Sequence, residues 1–133
     1  MIVIDCSILI AGTARDESNA IADRILEQLE SFEVEATVPS IFFLEVANVL
    51  VSNLRRKRID VSDIERYTEL FSSLPIRQDE NGKMQDIINI AVEYGLSAYD
   101  ASYLELAIRE NSPLVTLDRK LGEAAEKSGV VYE

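Results

Sequence analysis

The feature that most constrains this chain is an alternation. Short apolar runs recur along it: "IVI" at 2–4, "ATVP" at 36–39, "LPIRQ" at 74–78, "PLVTL" at 113–117 and "VVY" at 130–132. Between them lie longer segments whose apolar residues fall three and four apart, the period of an amphipathic helix. Ile21, Ile25, Leu26 and Leu29 mark one such segment, with Asp23, Glu27 and Glu30 on its other side. Strands that alternate with helices predict parallel pairing, because a parallel strand needs a long crossover and the crossover helices cover the sheet. The expected fold is α/β: a three-layer α/β/α sandwich with a central parallel sheet of four to five short strands.

The helical segments carry their own punctuation. Ser40 is expected to cap a helix bearing Ile41, Phe42, Leu44, Val46, Val49, Leu50 and Leu54, apolar almost all round and so expected to be largely buried. "SDIE" at 62–65 reads as a capping box. Met84, Ile87, Ile88, Ala91 and Val92 mark a helix that stops at Gly95, and Ser97 opens the next, with Leu104, Ala107 and Ile108 expected to face inward. Leu121, Ala124 and Ala125 mark a short helix before Ser128-Gly129. A chain of 133 residues suits a single domain, 1–133, around one core. No apolar run approaches the ~18 residues of a membrane span, and no basic stretch precedes the first apolar run, so neither a span nor a signal peptide is expected. Cys6 is the only cysteine. It permits no internal disulfide and suits a reducing cytoplasm.

Composition then narrows the chemistry. The chain has no histidine. That removes imidazole acid–base catalysis, the Ser-His-Asp triad and nearly all zinc sites. Any bound metal must be held by oxygen, which favours Mg²⁺, Mn²⁺ or Ca²⁺. A formal net charge of −11 disfavours general coating of a polyanion. The basic residues are nevertheless concentrated, with Arg55, Arg56, Lys57 and Arg58 in one block. That block reads either as the polar end of a helix or as a local patch able to hold one RNA strand beside an acidic pocket.

Four acids stand in apolar surroundings: Asp5 in "VIDCS", Glu45 in "FFLEVAN", Asp100 in "SAYDAS" and Asp118 in "VTLDRKL". Each has a local explanation. Asp5 could cap the turn after the first strand, Asp100 could close a capping box with Ser97, and Asp118 could cap the following helix. Glu45 could reach solvent or pair with Arg55. Asp5 and Asp118 also follow strands directly, at the end where open parallel sheets build their sites. Four inward-facing acids without histidine would repel one another unless a cation intervened. A divalent cation relieves both repulsion and burial, and clustered carboxylates are the usual form of a Mg²⁺-dependent phosphoryl-transfer or nuclease site. Two other classes stay in view: a non-catalytic binding module, and an aspartyl-phosphate phosphotransfer enzyme. The second wants a D-x-D pair, and here its second acid is Ser7. Neither G-x-x-x-x-G-K-[ST] nor G-x-G-x-x-G occurs.

In order and spacing these motifs resemble the PIN domain, over essentially the whole chain, and in size the toxin nucleases of VapBC-type toxin–antitoxin pairs. The family's strand-end D-x-S matches "IVIDCS", its helical glutamate matches "LEVANVL", its "YDA" helix start matches "AYDASYLELA", and its T-x-D-x-x-L matches "TLDRKL". The resemblance implies that Asp5, Glu45, Asp100 and Asp118 hold one or two Mg²⁺ or Mn²⁺ ions. Ser7, Thr116 and Asn48 would support them. It also implies endonucleolytic hydrolysis of RNA by metal-activated water, leaving a 5′-phosphate. A small cognate antitoxin that covers the acidic pocket, and a homodimer, are implied as partners.

Overall fold

A computed structural model describes residues 1–13 and 19–132. Within them, four strands, β1 (Ile2–Ile4), β2 (Ala36–Pro39), β3 (Ile76–Asp79) and β4 (Leu114–Val115), form one sheet in the order β3-β2-β1-β4. All pairings are parallel. Among the described residues, seven helices flank it: α1 (Cys6–Ala11), α2 (Ala20–Glu30), α3 (Phe42–Arg55), α4 (Val61–Ser73), α5 (Met84–Tyr94), α6 (Ala98–Arg109) and α7 (Arg119–Ser128). The expected α/β/α architecture is therefore present.

The strand order matters for function. The chain starts at β1, moves outward through β2 and β3, then crosses to add β4 on the opposite side of β1. The direction of winding reverses between β1 and β4, and such a switch point opens a crevice at the carboxyl ends of the strands. The register pairs Ile4 with Val115, so the next residues on each strand, Asp5 and Thr116, emerge side by side.

Burial explains why these segments fold as they do. Strands β1 and β2 are buried along their whole length, which is why they read as unbroken apolar runs. Helix α6 is the central helix, packing on β1, β2 and β4 and against α5 and α7. It buries Ala101, Tyr103, Leu104, Glu105, Leu106 and Ala107. Arg109 at its end bonds Asp79 and Glu105, each at 2.8 Å, and so ties the end of edge strand β3 to α6.

Several boundaries differ from expectation. Helix α1 follows β1 directly, capped by Asp5, where no helix was expected; six residues are too few to display a helical period. Ser40 does not cap α3: the cap position is Ile41, which makes no side-chain bond. Nor is α3 largely buried, for it buries Phe42, Val46 and Leu50 but leaves Leu44 71% exposed. The capping box of α4 is Asp60 with Asp63, two residues before "SDIE", and Ser62 donates to Asp60 at 2.6 Å. Both choices offer an oxygen three residues before an acid, so local sequence does not separate them. Ile108 is 40% exposed rather than inward. "VVY" contributes one bridge, Val131 opposite Leu114, and not a fifth strand.

Candidate active site

Two hydroxyl relays build the floor of the crevice. Asp5 is 6% exposed and caps α1, accepting from the Ser7 N–H at 3.1 Å. The Ser7 hydroxyl donates to the same carboxylate oxygen and itself accepts from the Leu117 N–H at 2.9 Å. The Thr116 hydroxyl donates to the other oxygen and accepts from the Asp118 N–H at 3.0 Å. Both oxygens of Asp5 are thus held by side chains whose own positions the β4 end fixes. The capping role leaves room for a further partner, because a carboxylate has about four lone-pair sites and three donors occupy it here.

The other three acids approach from separate helices. Ser97 caps α6 by accepting from the Asp100 N–H at 3.1 Å, which places Asp100 in the first helical turn. Asp118 caps α7, accepting from the Leu121 N–H at 2.9 Å. Glu45 lies in the first turn of α3, where an acid suits the positive end of the helix dipole, and accepts from the Tyr103 hydroxyl. Only Asp5 is buried; Glu45 and Asp100 are half-buried and Asp118 is exposed. The description of all four as inward-facing therefore holds for Asp5 and in part for Glu45 and Asp100.

Electrostatics show which acids meet. Burial pushes the Asp5 carboxyl above its ordinary range despite the Ser7 and Thr116 donors, and Asp100 adds to the rise. Burial, then Asp118, raises Asp100, while Lys120 works in the opposite direction. The Cys6 thiol, set among Glu45, Asp5 and Asp100, is pushed up to about 12, chiefly by burial. Asp100 thus acts on Asp5 and Asp118 on Asp100, while Glu45 shares only the Cys6 thiol with Asp5 and Asp100. Two more groups that the spacing did not single out belong to the crevice. Lys120 is a cation two residues past Asp118. Tyr103 lies three residues past Asp100 and hence on the same face of α6, a spacing visible in the sequence.

The donor set can be tested against a divalent cation. It is all oxygen and contains acids that repel one another, which suits a hard ion such as Mg²⁺ or Mn²⁺. Among the described residues, no three acids or cysteines come close enough to enclose an ion by themselves. Water and substrate oxygens would have to complete the shell, as Mg²⁺ commonly requires. Elsewhere, buried acids are neutralised by arginine: Arg66 meets Asp63 at 2.8 Å and Arg109 meets Glu105.

The fold and the site together define a class: a parallel α/β domain with a histidine-free carboxylate site at its switch point. The chain belongs to the PIN-domain family, whose model matches residues 2–127. It is similar to a protein named ribonuclease VapC3 of Pyrobaculum aerophilum, 29% identical over 126 residues, 92% of each chain. It is also similar to exonuclease VapC9 of that organism, 35% identical over 78 residues, covering 58% of this chain and 57% of the relative. The crystal structure of PAE2754 from Pyrobaculum aerophilum matches with a TM-score of 0.70 at 27% identity, covering 92% of this chain and 84% of the other.

Proposed function

We propose that the protein is an endoribonuclease dependent on Mg²⁺ or Mn²⁺, and the toxin of a toxin–antitoxin pair. Family membership and relatives named as a ribonuclease and an exonuclease support nuclease chemistry. The observation that carries the reading is Asp5 at the switch point, bonded through the Thr116 hydroxyl to the Asp118 backbone, with Asp100 acting on Asp5 and Asp118 on Asp100. Asp5, Glu45, Asp100 and Asp118 would hold one or two ions. The chemistry such an ion would supply is activation of water and neutralisation of charge on the phosphate.

The chain's own residues have distinct tasks in this reading. Ser7 and Thr116 orient Asp5 before any ligand arrives. Lys120 offsets the acids and offers a cation to a substrate phosphate. Asn48 shares a shallow cavity with Ile41, Leu44, Glu45 and Tyr99, where it can meet a passing strand. Arg55, at the far end of α3, lies about 15 Å along the helix axis from Glu45. Arg55, Arg56, Lys57 and Arg58 are all exposed and would grip backbone phosphates beyond the cut site. The antitoxin would cover the acidic crevice. A second copy would cover the apolar patch that runs from Leu44 on α3 past Ile41 and Tyr99 to Met84 and Ile88 on α5.

A circular RNA tests the reading, because a molecule without ends yields only to an endonuclease. Incubated with Mn²⁺, it should open to products with 5′-phosphate ends. Asp100→Asn should lose that activity by at least about a hundredfold. Calorimetry of the metal-free protein should show Mn²⁺ binding. Intact circles with digestion of linear RNA would point to an exonuclease, and no Mn²⁺ binding up to millimolar levels would favour a non-catalytic module.

A further inference from the structure

We infer that Tyr103 is a positioning residue: its phenol, fixed in the core, holds the Glu45 carboxylate in the crevice. The inference rests on the nuclease reading of that site. Tyr103 is the largest of the fully buried side chains, at 1% exposure, and its ring is locked within α6 among the core residues. A buried phenol needs a partner, and against a carboxylate it can only donate. The partner is Glu45 Oε1, 58 positions away in sequence and on a different helix.

The geometry gives this bond a purpose beyond satisfying a hydroxyl. Glu45 is half-buried beside an open shallow cavity. A glutamate has three side-chain torsions, so its carboxylate would otherwise sample solvent. Asp5 has two hydroxyl braces, and Tyr103 gives Glu45 the equivalent. Because Asp100 and Tyr103 sit on one face of α6, that helix supplies one acid directly and sets the other through the phenol. Groups that orient a ligating carboxylate commonly change metal affinity or activity when removed.

Tyr103→Phe removes the hydroxyl and keeps the ring. In the full-length protein it should lower Mn²⁺ affinity, read by calorimetry, and kcat on RNA, each about tenfold, with KM for RNA nearly unchanged. Glu45→Gln tests the route of action. The double variant should be no worse than Glu45→Gln alone, since a brace has no effect once its object is gone. Losses that multiply in the double variant would overturn the inference, as would Mn²⁺ affinity in Tyr103→Phe equal to wild type. Should Tyr103→Phe fold poorly, the proton spectrum of the wild type decides: a downfield, slowly exchanging phenol proton should move upfield in Glu45→Gln. A spectrum unchanged by Glu45→Gln would overturn it. Wild-type protein that cleaves RNA while Tyr103→Phe matches it defeats this inference alone; wild-type protein that neither binds Mn²⁺ nor cleaves RNA defeats the nuclease reading as well.

Discussion

Asp5 is the residue at which the main forces of this molecule oppose each other. Three donors stabilise its charge, while burial and Asp100 oppose it, and burial wins. Asp100 is raised for similar reasons. Both groups therefore hold protons more tightly in the folded protein than in the unfolded chain, where an aspartate titrates near 3.8. Above that value the unfolded chain binds fewer protons than the folded one, so stability falls as pH rises through the raised values. Asp79 behaves oppositely. Arg109 holds it below its ordinary range, so its contribution is present above 3.8 and is lost as pH falls through the lowered value. Denaturant melts of metal-free protein across pH should show both limbs. Asp5→Asn with Asp100→Asn should remove the decline above 3.8 and keep the acid limb, and saturating Mg²⁺ should offset the decline in the wild type. A decline unchanged by the double substitution would place its cause elsewhere. Asp5, Glu45, Asp100 and Asp118 were legible as candidates because each interrupts an apolar run, whereas Tyr103 and Lys120 look like ordinary core and surface until the helices are assembled.

At the scale of elements, the site depends on how helices begin and end. Asp5, Ser97 and Asp118 all cap helices at or beside the crevice, so the bonds that start α1, α6 and α7 also aim Asp5, Asp100 and Asp118. The junction from α5 to α6 is a short turn in which Gly95 adopts φ +65° and closes α5 through its N–H to Ala91. An added methyl there would meet no neighbour, so the cost of Gly95→Ala is conformational alone, about 1 kcal/mol. Chemical denaturation should show that loss. Gly95→Asn should lose less, since asparagine tolerates the left-handed region. Equal stability of all three proteins would show that the turn relaxes. This turn and the α7 stop at Gly129 were readable from glycine placement. The start of α3 was not, because its first turn is set by packing of Phe42 and has no side-chain cap.

At the scale of the whole molecule, large apolar side chains are left at the surface. The chain is strongly acidic, yet Leu44 at 71% exposure, Met84 at 77% and Tyr99 at 61% line adjoining cavities. Scattered exposed apolar residues need no explanation, but those joined through Ile41 and Tyr99 form a continuous patch of the kind that marks an interface. Leu44→Glu or Met84→Glu should convert a dimer to a monomer in sedimentation velocity while leaving the far-ultraviolet circular dichroism unchanged. A wild type that sediments as a monomer at high concentration would remove the dimer from the proposal. Sequence periodicity read α3 as buried because it is apolar on two sides; one side meets the core, and only the fold reveals that the other, at Leu44 and Val51, is exposed among the described residues.

The sequence by itself determined the class of fold, through alternating strand and helix periods, and the chemical limits of the site, through four acids and no histidine. Those properties are local, since they depend on which residue types occur and at what spacing. Tertiary structure alone decided the strand order, the switch point between β1 and β4, and the register that sets Asp5 beside Thr116. It also decided that Tyr103 reaches Glu45 across 58 positions. Such pairings depend on packing among distant segments. They follow from how the helices cover the sheet, and no local pattern encodes that.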